Sequence, residues 1–140
     1  MKPYAFLVVL IATLVVNAGA VADSTSLSGS WRGTVNTNTV YDVTFLPGSG
    51  GNVVSGKLSI TWHGSGGQVY HTRSDRPFTG TIAGDHLTMD DGERIYSFKV
   101  TGDRLLPELL KREQGGQGFD NVRSYGATGN HLVLELDRVK

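Results

Sequence analysis

The chain has 140 residues, 39% of them hydrophobic and 19% charged, with 13 Lys+Arg against 13 Asp+Glu and no cysteine. The balanced charge offers no basic surface for nucleic acid or anionic membrane. The missing cysteine excludes disulfides, thiol catalysis and a cysteine-linked lipid anchor.

Residues 1–22 are expected to be an export signal. Lys2 supplies the positive start, "AFLVVLIATLVV" at 5–16 the apolar run, and "AVA" at 20–22 the small residues at a cleavage point. Cleavage after Ala20, in "AGA", is the alternative. The run is shorter than the roughly 20 apolar residues that span a bilayer, so no membrane span is expected in the mature chain. Residues 23–140 then form one domain, carrying 12 Lys+Arg against 13 Asp+Glu because Lys2 is the only charge in the signal. Export without disulfides or an Asn-x-Ser/Thr sequon points to a bacterial periplasmic or secreted protein. Such a domain must hold itself together by its core.

Alternation dominates from here on. Trp31/Gly33/Val35, Tyr41/Val43/Phe45, Leu58/Ile60/Trp62, Phe78/Gly80/Ile82, Leu87/Met89, Tyr96/Phe98/Val100 and Leu132/Leu134/Leu136 each line one face. Thr34, Asp42, Thr44, Ser59, Thr61, Ser97 and Lys99 line the other, as a solvated face requires. A membrane barrel needs the reverse arrangement, with its apolar band outside. Strands are therefore expected near 30–36, 39–46, 52–62, 77–83, 86–90, 93–101, 104–112, 119–127 and 131–139. Residues 47–52 form a loop, and 63–77 form either a long loop or a turn plus another strand at 68–74.

Three similar segments, "TIAGDHLTM", "KVTGDRLLP" and "GATGNHLVL", each carry Gly followed by Asp or Asn. These dipeptides suit two-residue hairpin loops, because they accept the positive φ such loops demand. Loops at Gly84-Asp85 and Gly102-Asp103 set Ile82 opposite Leu87 and Val100 opposite Leu105. Asp91-Gly92 sets Leu87 opposite Tyr96, and Gly129-Asn130 sets Tyr125 opposite Leu134 and Arg123 opposite Leu136. His86, Arg104 and His131 then stand on alternate strands about 10 Å apart, too far to share a metal. No metal site is expected.

No catalytic motif emerges either. "GNVVSGKL" at 51–58 approaches a phosphate-binding loop, but Leu58 stands where Ser or Thr would hold magnesium and the context is a strand. His71 and Asp75 read as ordinary loop polarity. Neither a cofactor nor an enzymatic activity is expected.

"LSGSWRG" at 27–33 carries the Gly-x-Trp that opens the first strand of lipocalins and their calycin relatives, and "LVLELDRVK" at 132–140 supplies Arg138. The chain resembles those families in this pair, which implies that the Arg138 guanidinium covers the Trp31 indole and closes one end of a barrel. Such closure makes the first and last strands antiparallel neighbours only if the strand number is even. Nine strands are named above, so 68–74 is preferred as a tenth, and an irregular 119–127 would give eight. Avidins are similar in the opening motif, but Gly33 stands where they carry the biotin-contacting Asn, and biotin is not carried over. Small bacterial metalloprotease inhibitors of lipocalin-like shape are similar in size and export, although their disulfide is absent here. Their N-terminal arm would correspond to residues 23–28.

The expected protein is all-β, an antiparallel up-and-down meander closing into a small calycin-like barrel of eight to ten strands. The favoured role is carriage or sensing of a small apolar or amphiphilic ligand inside it. Arg123 is the inward cation for a carboxylate head, and Tyr41, Trp62, Tyr96 and Tyr125 are the aromatic walls. The alternative is a secreted protein-binding module acting on a protein partner through 63–77, 113–118 or 23–28.

Overall fold

A computed structural model describes residues 24–47, 51–111, 119–125 and 132–140. The expected signal, the expected 113–118 loop and the expected Gly129-Asn130 turn with His131 lie outside the described residues.

A 3-10 turn at Ser24–Leu27 leads into β1 (Gly29–Val35), β2 (Thr39–Phe45), β3 (Val53–His63), β4 (Val69–Ala83), β5 (His86–Asp90), β6 (Arg94–Thr101) and β7 (Arg104–Pro107). Two short strands, β8 (Leu110–Lys111) and β9 (Phe119–Asp120), pair only with each other; β10 (Val122–Ser124) and β11 (Leu136–Arg138) follow. Strands β1 to β7 pair as consecutive antiparallel neighbours, and β11 joins β7 to β1. The meander thus closes into an eight-stranded barrel, with β10 as one extra strand on β6.

The alternation decides what faces inward. Trp31, Tyr41, Phe45, Leu58, Leu87, Tyr96, Phe98 and Leu136 are all at most 2% exposed, while Thr34, Thr44, Lys57 and Lys99 between them are exposed. Burying each such apolar side chain stabilises by about 1.5–3 kcal/mol, which supplies cohesion without disulfides. Packing is close enough to dictate composition. A Cβ on Gly56 would stand 2.0 Å from the Thr44 carbonyl oxygen and 2.8 Å from the Phe78 ring, so only glycine lets β2, β3 and β4 coil together there.

Two expected corners have the expected register: Ile82 faces Leu87 across Gly84-Asp85, and Val100 faces Leu105 across Gly102-Asp103. The β5–β6 corner is wider. Leu87 faces Phe98, and Met89 faces Tyr96. The Asp91 carboxylate causes the shift: it accepts hydrogen bonds from the backbone N–H groups of Glu93 and Arg94 at 2.8 and 2.7 Å, pulling both into the turn. Because the displacement is two residues, every side chain keeps its face.

The strand count is eight, where ten was preferred. Residues 68–74 are not a separate strand, because β4 runs continuously from Val69 to Ala83 through a bulge. Leu58 pairs with Arg76 and Ile60 with Arg73, so Ser74 and Asp75 together oppose Ser59. Asp75 takes a φ of 54°, and its N–H donates to Ser59 Oγ at 3.0 Å, replacing the lost ladder bond.

Residues 119–125, the described part of the expected 119–127 strand, are split between β9 and β10 at Asn121. β6 is flanked along its second half by β7 and along its first half by β10, two half-strands end to end. Asn121, 1% exposed, joins them. Its amide nitrogen donates to the Ser97 and Leu134 carbonyls at 3.1 and 2.8 Å, and its amide oxygen accepts from the Leu134 N–H at 2.7 Å. A side chain thus completes the backbone ladder where the chain departs for β8 and β9.

In an up-and-down meander successive connections fall at opposite ends. The lower end holds the Gly84-Asp85 and Gly102-Asp103 corners and both described termini; the upper end holds residues 36–38, 64–68 and 91–93.

Candidate functional site at the open end of the barrel

The lower end is sealed. Leu27 is fully buried, and its carbonyl accepts a 2.9 Å hydrogen bond from Trp31 Nε1. Trp31 and Arg138 are direct cross-strand partners, and the guanidinium carbon lies 4.4 Å from the indole centroid, a contact favourable by about 0.5–2 kcal/mol. Arg138 also donates to the carbonyls of Ser26 and Ser28 at 2.6 and 2.9 Å and pairs with Asp103 at 2.8 Å. Residues 24–28 are therefore tied down as a plug, a different placement from a free arm.

The upper end is open. A cavity of about 370 Å³ lies there, lined by Val35, Asn36, Thr39, Tyr41, Trp62, Arg94 and Leu132. The β1–β2 turn brings its rim inward: Asn36 and Thr37 adopt φ of 55° and 62°. That conformation is rare for a β-branched residue such as Thr. Trp62, near the end of β3, is half-buried with its ring centroid 4.8 Å from that of His71.

Beneath the cavity, the Tyr41 and Tyr96 rings meet edge to face with centroids 6.4 Å apart. Arg94 Nη1 donates to the Tyr41 hydroxyl at 3.1 Å, and the Tyr96 hydroxyl donates to Asp91 Oδ2 at 2.9 Å. Burial pushes both phenols above their ordinary pKa; the Asp91 charge adds to the rise at each, and Arg94 opposes it. Both remain protonated hydrogen-bonding groups at neutral pH.

The upper end also collects cations. The bulge leaves Arg73 and Arg76 opposite the inward residues Ile60 and Leu58. Both pair with Glu93, Arg76 at 3.4 Å. The hydrogen bond from Arg73 holds the Glu93 carboxyl below the usual range. Arg76 Nη2 also donates to the Asp91 carbonyl at 3.3 Å, while its Nε is buried without a hydrogen-bond partner among the described residues. No carboxylate among the described residues forms an ion pair with Arg94.

The five expected ligand residues therefore divide. Tyr41 and Trp62 line the cavity, and Tyr96 packs beneath it. Arg123 and Tyr125 do not join them, a correction to the expected register. Val122 faces Leu132 and Arg123 faces the outward Ile95, so the Arg123–Leu136 and Tyr125–Leu134 pairings do not form. Asn121 forces this outcome, since its side-chain bonds to Leu134 occupy the ladder positions that a regular hairpin would use. Tyr125 is 54% exposed and donates its hydroxyl hydrogen to Asp90. The cation lining the cavity is Arg94, two residues before Tyr96 and so on the same face. Extending the Tyr96/Phe98/Val100 alternation by one step would have found it.

Among the described residues no cluster of His, Asp and Glu has the geometry of a metal site, and no helix is long and apolar enough to cross a membrane. His86, on the outer face, pairs with Glu108 and Asp85.

By its fold the chain is an antiparallel eight-stranded β-barrel, closed below and open above. Compared with known proteins, it matches no family model, no curated protein and no solved structure.

Proposed function

We propose that this is an exported, calycin-like binding protein that carries or senses a small apolar or amphiphilic ligand at the open end of its barrel. It catalyses no reaction. The observation carrying this reading is the cavity itself. Its volume of about 370 Å³ falls within the roughly 300–1,000 Å³ of small-molecule sites. Its lining is mostly polar, with Asn36, Thr39, Tyr41 and Arg94 set beside the apolar Val35, Trp62 and Leu132. Among the described residues, Tyr41, Ile60, Met89 and Tyr96 belong to one buried apolar cluster.

Native mass spectrometry of protein purified from its own host tests the reading. The expected result is a co-purified small-molecule mass that is lost when Trp62→Ala strips the aromatic wall. Protein that carries no added mass and binds no small-molecule probe would overturn it.

A further inference from the structure

We infer that the ligand is a compact organic anion, a ring or short chain bearing one carboxylate-like group, and that Arg94 with Tyr41 forms its anion seat. The inference rests on the ligand reading of the open end and goes on to name the chemistry.

Charge bookkeeping at the upper end comes first. Three guanidinium groups gather there, and Arg73 and Arg76 are both committed to Glu93. The Asp91 carboxylate is occupied by the Tyr96 hydroxyl and by two backbone N–H groups. Arg94, whose charge also acts on Glu93, lines the cavity with a neutral oxygen, that of Tyr41, as its side-chain hydrogen-bond partner among the described residues. A guanidinium has five N–H donors, and a partly buried one gains most from a planar two-oxygen acceptor. The Tyr41 hydroxyl accepts from Arg94, which leaves its own hydrogen to donate. Two adjacent donors beside the Trp62 ring present a polar end and a flat apolar wall to one ligand.

Size comes second. The cavity does not continue down the barrel axis, because Tyr41, Ile60, Met89 and Tyr96 beneath it are each 1% exposed. A long acyl chain would have no channel to enter. The site therefore favours compact anions over long-chain lipids, and anions over neutral molecules of the same shape.

Isothermal titration of the full mature chain tests each part, using 1-naphthoate, its neutral analogue 1-naphthalenemethanol, hexanoate and palmitate. Naphthoate is expected to bind about tenfold or more tightly than the alcohol, the scale of one charge-assisted hydrogen-bonded pair. Arg94→Met should bring naphthoate down to the alcohol's affinity and leave the alcohol unchanged. Arg94→Lys should recover part of the preference, and circular dichroism should show both variants folded. Equal binding of acid and alcohol would overturn the anion seat while leaving the ligand reading intact. Palmitate binding far more tightly than hexanoate would overturn the size limit in the same way. If none of the four binds, both the inference and the ligand reading fall.

Discussion

The two ends of the barrel each place an arginine on the inner side of an aromatic, and they use it differently. At the lower end Arg138 stacks on the Trp31 ring and uses Nε, Nη1 and Nη2 in bonds to the Asp103 carboxylate and the Ser28 and Ser26 carbonyls. At the upper end Arg94 meets a single tyrosine hydroxyl and an open cavity. The same residue type serves as a fastener where three bonds and a ring hold it and as a candidate recognition group where one side-chain bond does. Under the proposed function, the remaining donors of the partly buried Arg94 are those that would meet a ligand from outside.

The sharpest way to break this contrast is to remove the lower plug. Trp31→Ala should destabilise the fold by about 3–5 kcal/mol, as deletion of a fully buried aromatic does, measured by urea denaturation. A loss below about 1 kcal/mol would mean that the seal is not where the barrel's stability lies. Arg138→Met should follow at about 2–3 kcal/mol, since it strands carbonyls and a carboxylate that lose charged partners. Arg94→Met should change stability by less than about 1 kcal/mol in either direction, because replacing an inward charge by an apolar group of similar size is often neutral or better. Equal losses for the two arginines would erase the distinction between the ends.

Acidification gives the smallest effect. Hydrogen bonds from Arg138 and Lys140 hold Asp103 below its ordinary pKa, as the hydrogen bond from Arg73 holds Glu93. A carboxyl with a depressed folded pKa contributes stability above its unfolded value and loses it as pH falls through the folded one. The thermal midpoint should therefore decline between about pH 5 and pH 3, and Arg138→Met should flatten part of that decline. His86 has the opposite sign. Its pKa is raised by the hydrogen bond to Glu108, so its contribution is full below the ordinary histidine value and fades as pH rises through the folded one.

Much of the fold was legible because alternation and glycine corners act locally. Leu87, Phe98 and Leu105 could be assigned to the core from phase alone, and the Trp31–Arg138 pair follows from two motifs at the chain ends. What escaped was whatever depended on side chains replacing backbone. Asn121 stands in for a ladder residue between β7 and β10, and nothing in its local sequence separates it from a loop asparagine. Asp75 and Ser59 make the bulge that turns two expected segments into one strand. Asp91 widens a corner by capturing two N–H groups. The bulge sets Arg73 and Arg76 opposite inward residues, and the Asn121 bonds keep Arg123 out of the expected register. The candidate site was thus legible in its aromatic walls and in Arg94, which share one strand phase, whereas the neighbouring arginines depend on where the irregularities fall.

The most direct test of the central claim is an amide chemical-shift map of 15N-labelled residues 23–140 titrated with 1-naphthoate. Perturbations should concentrate at Val35, Thr39, Tyr41, Trp62, Arg94 and Leu132, with Leu27, Trp31 and Arg138 unmoved. Shifts centred on the lower plug, or on the outer face around Arg123 and Tyr125, would contradict the account.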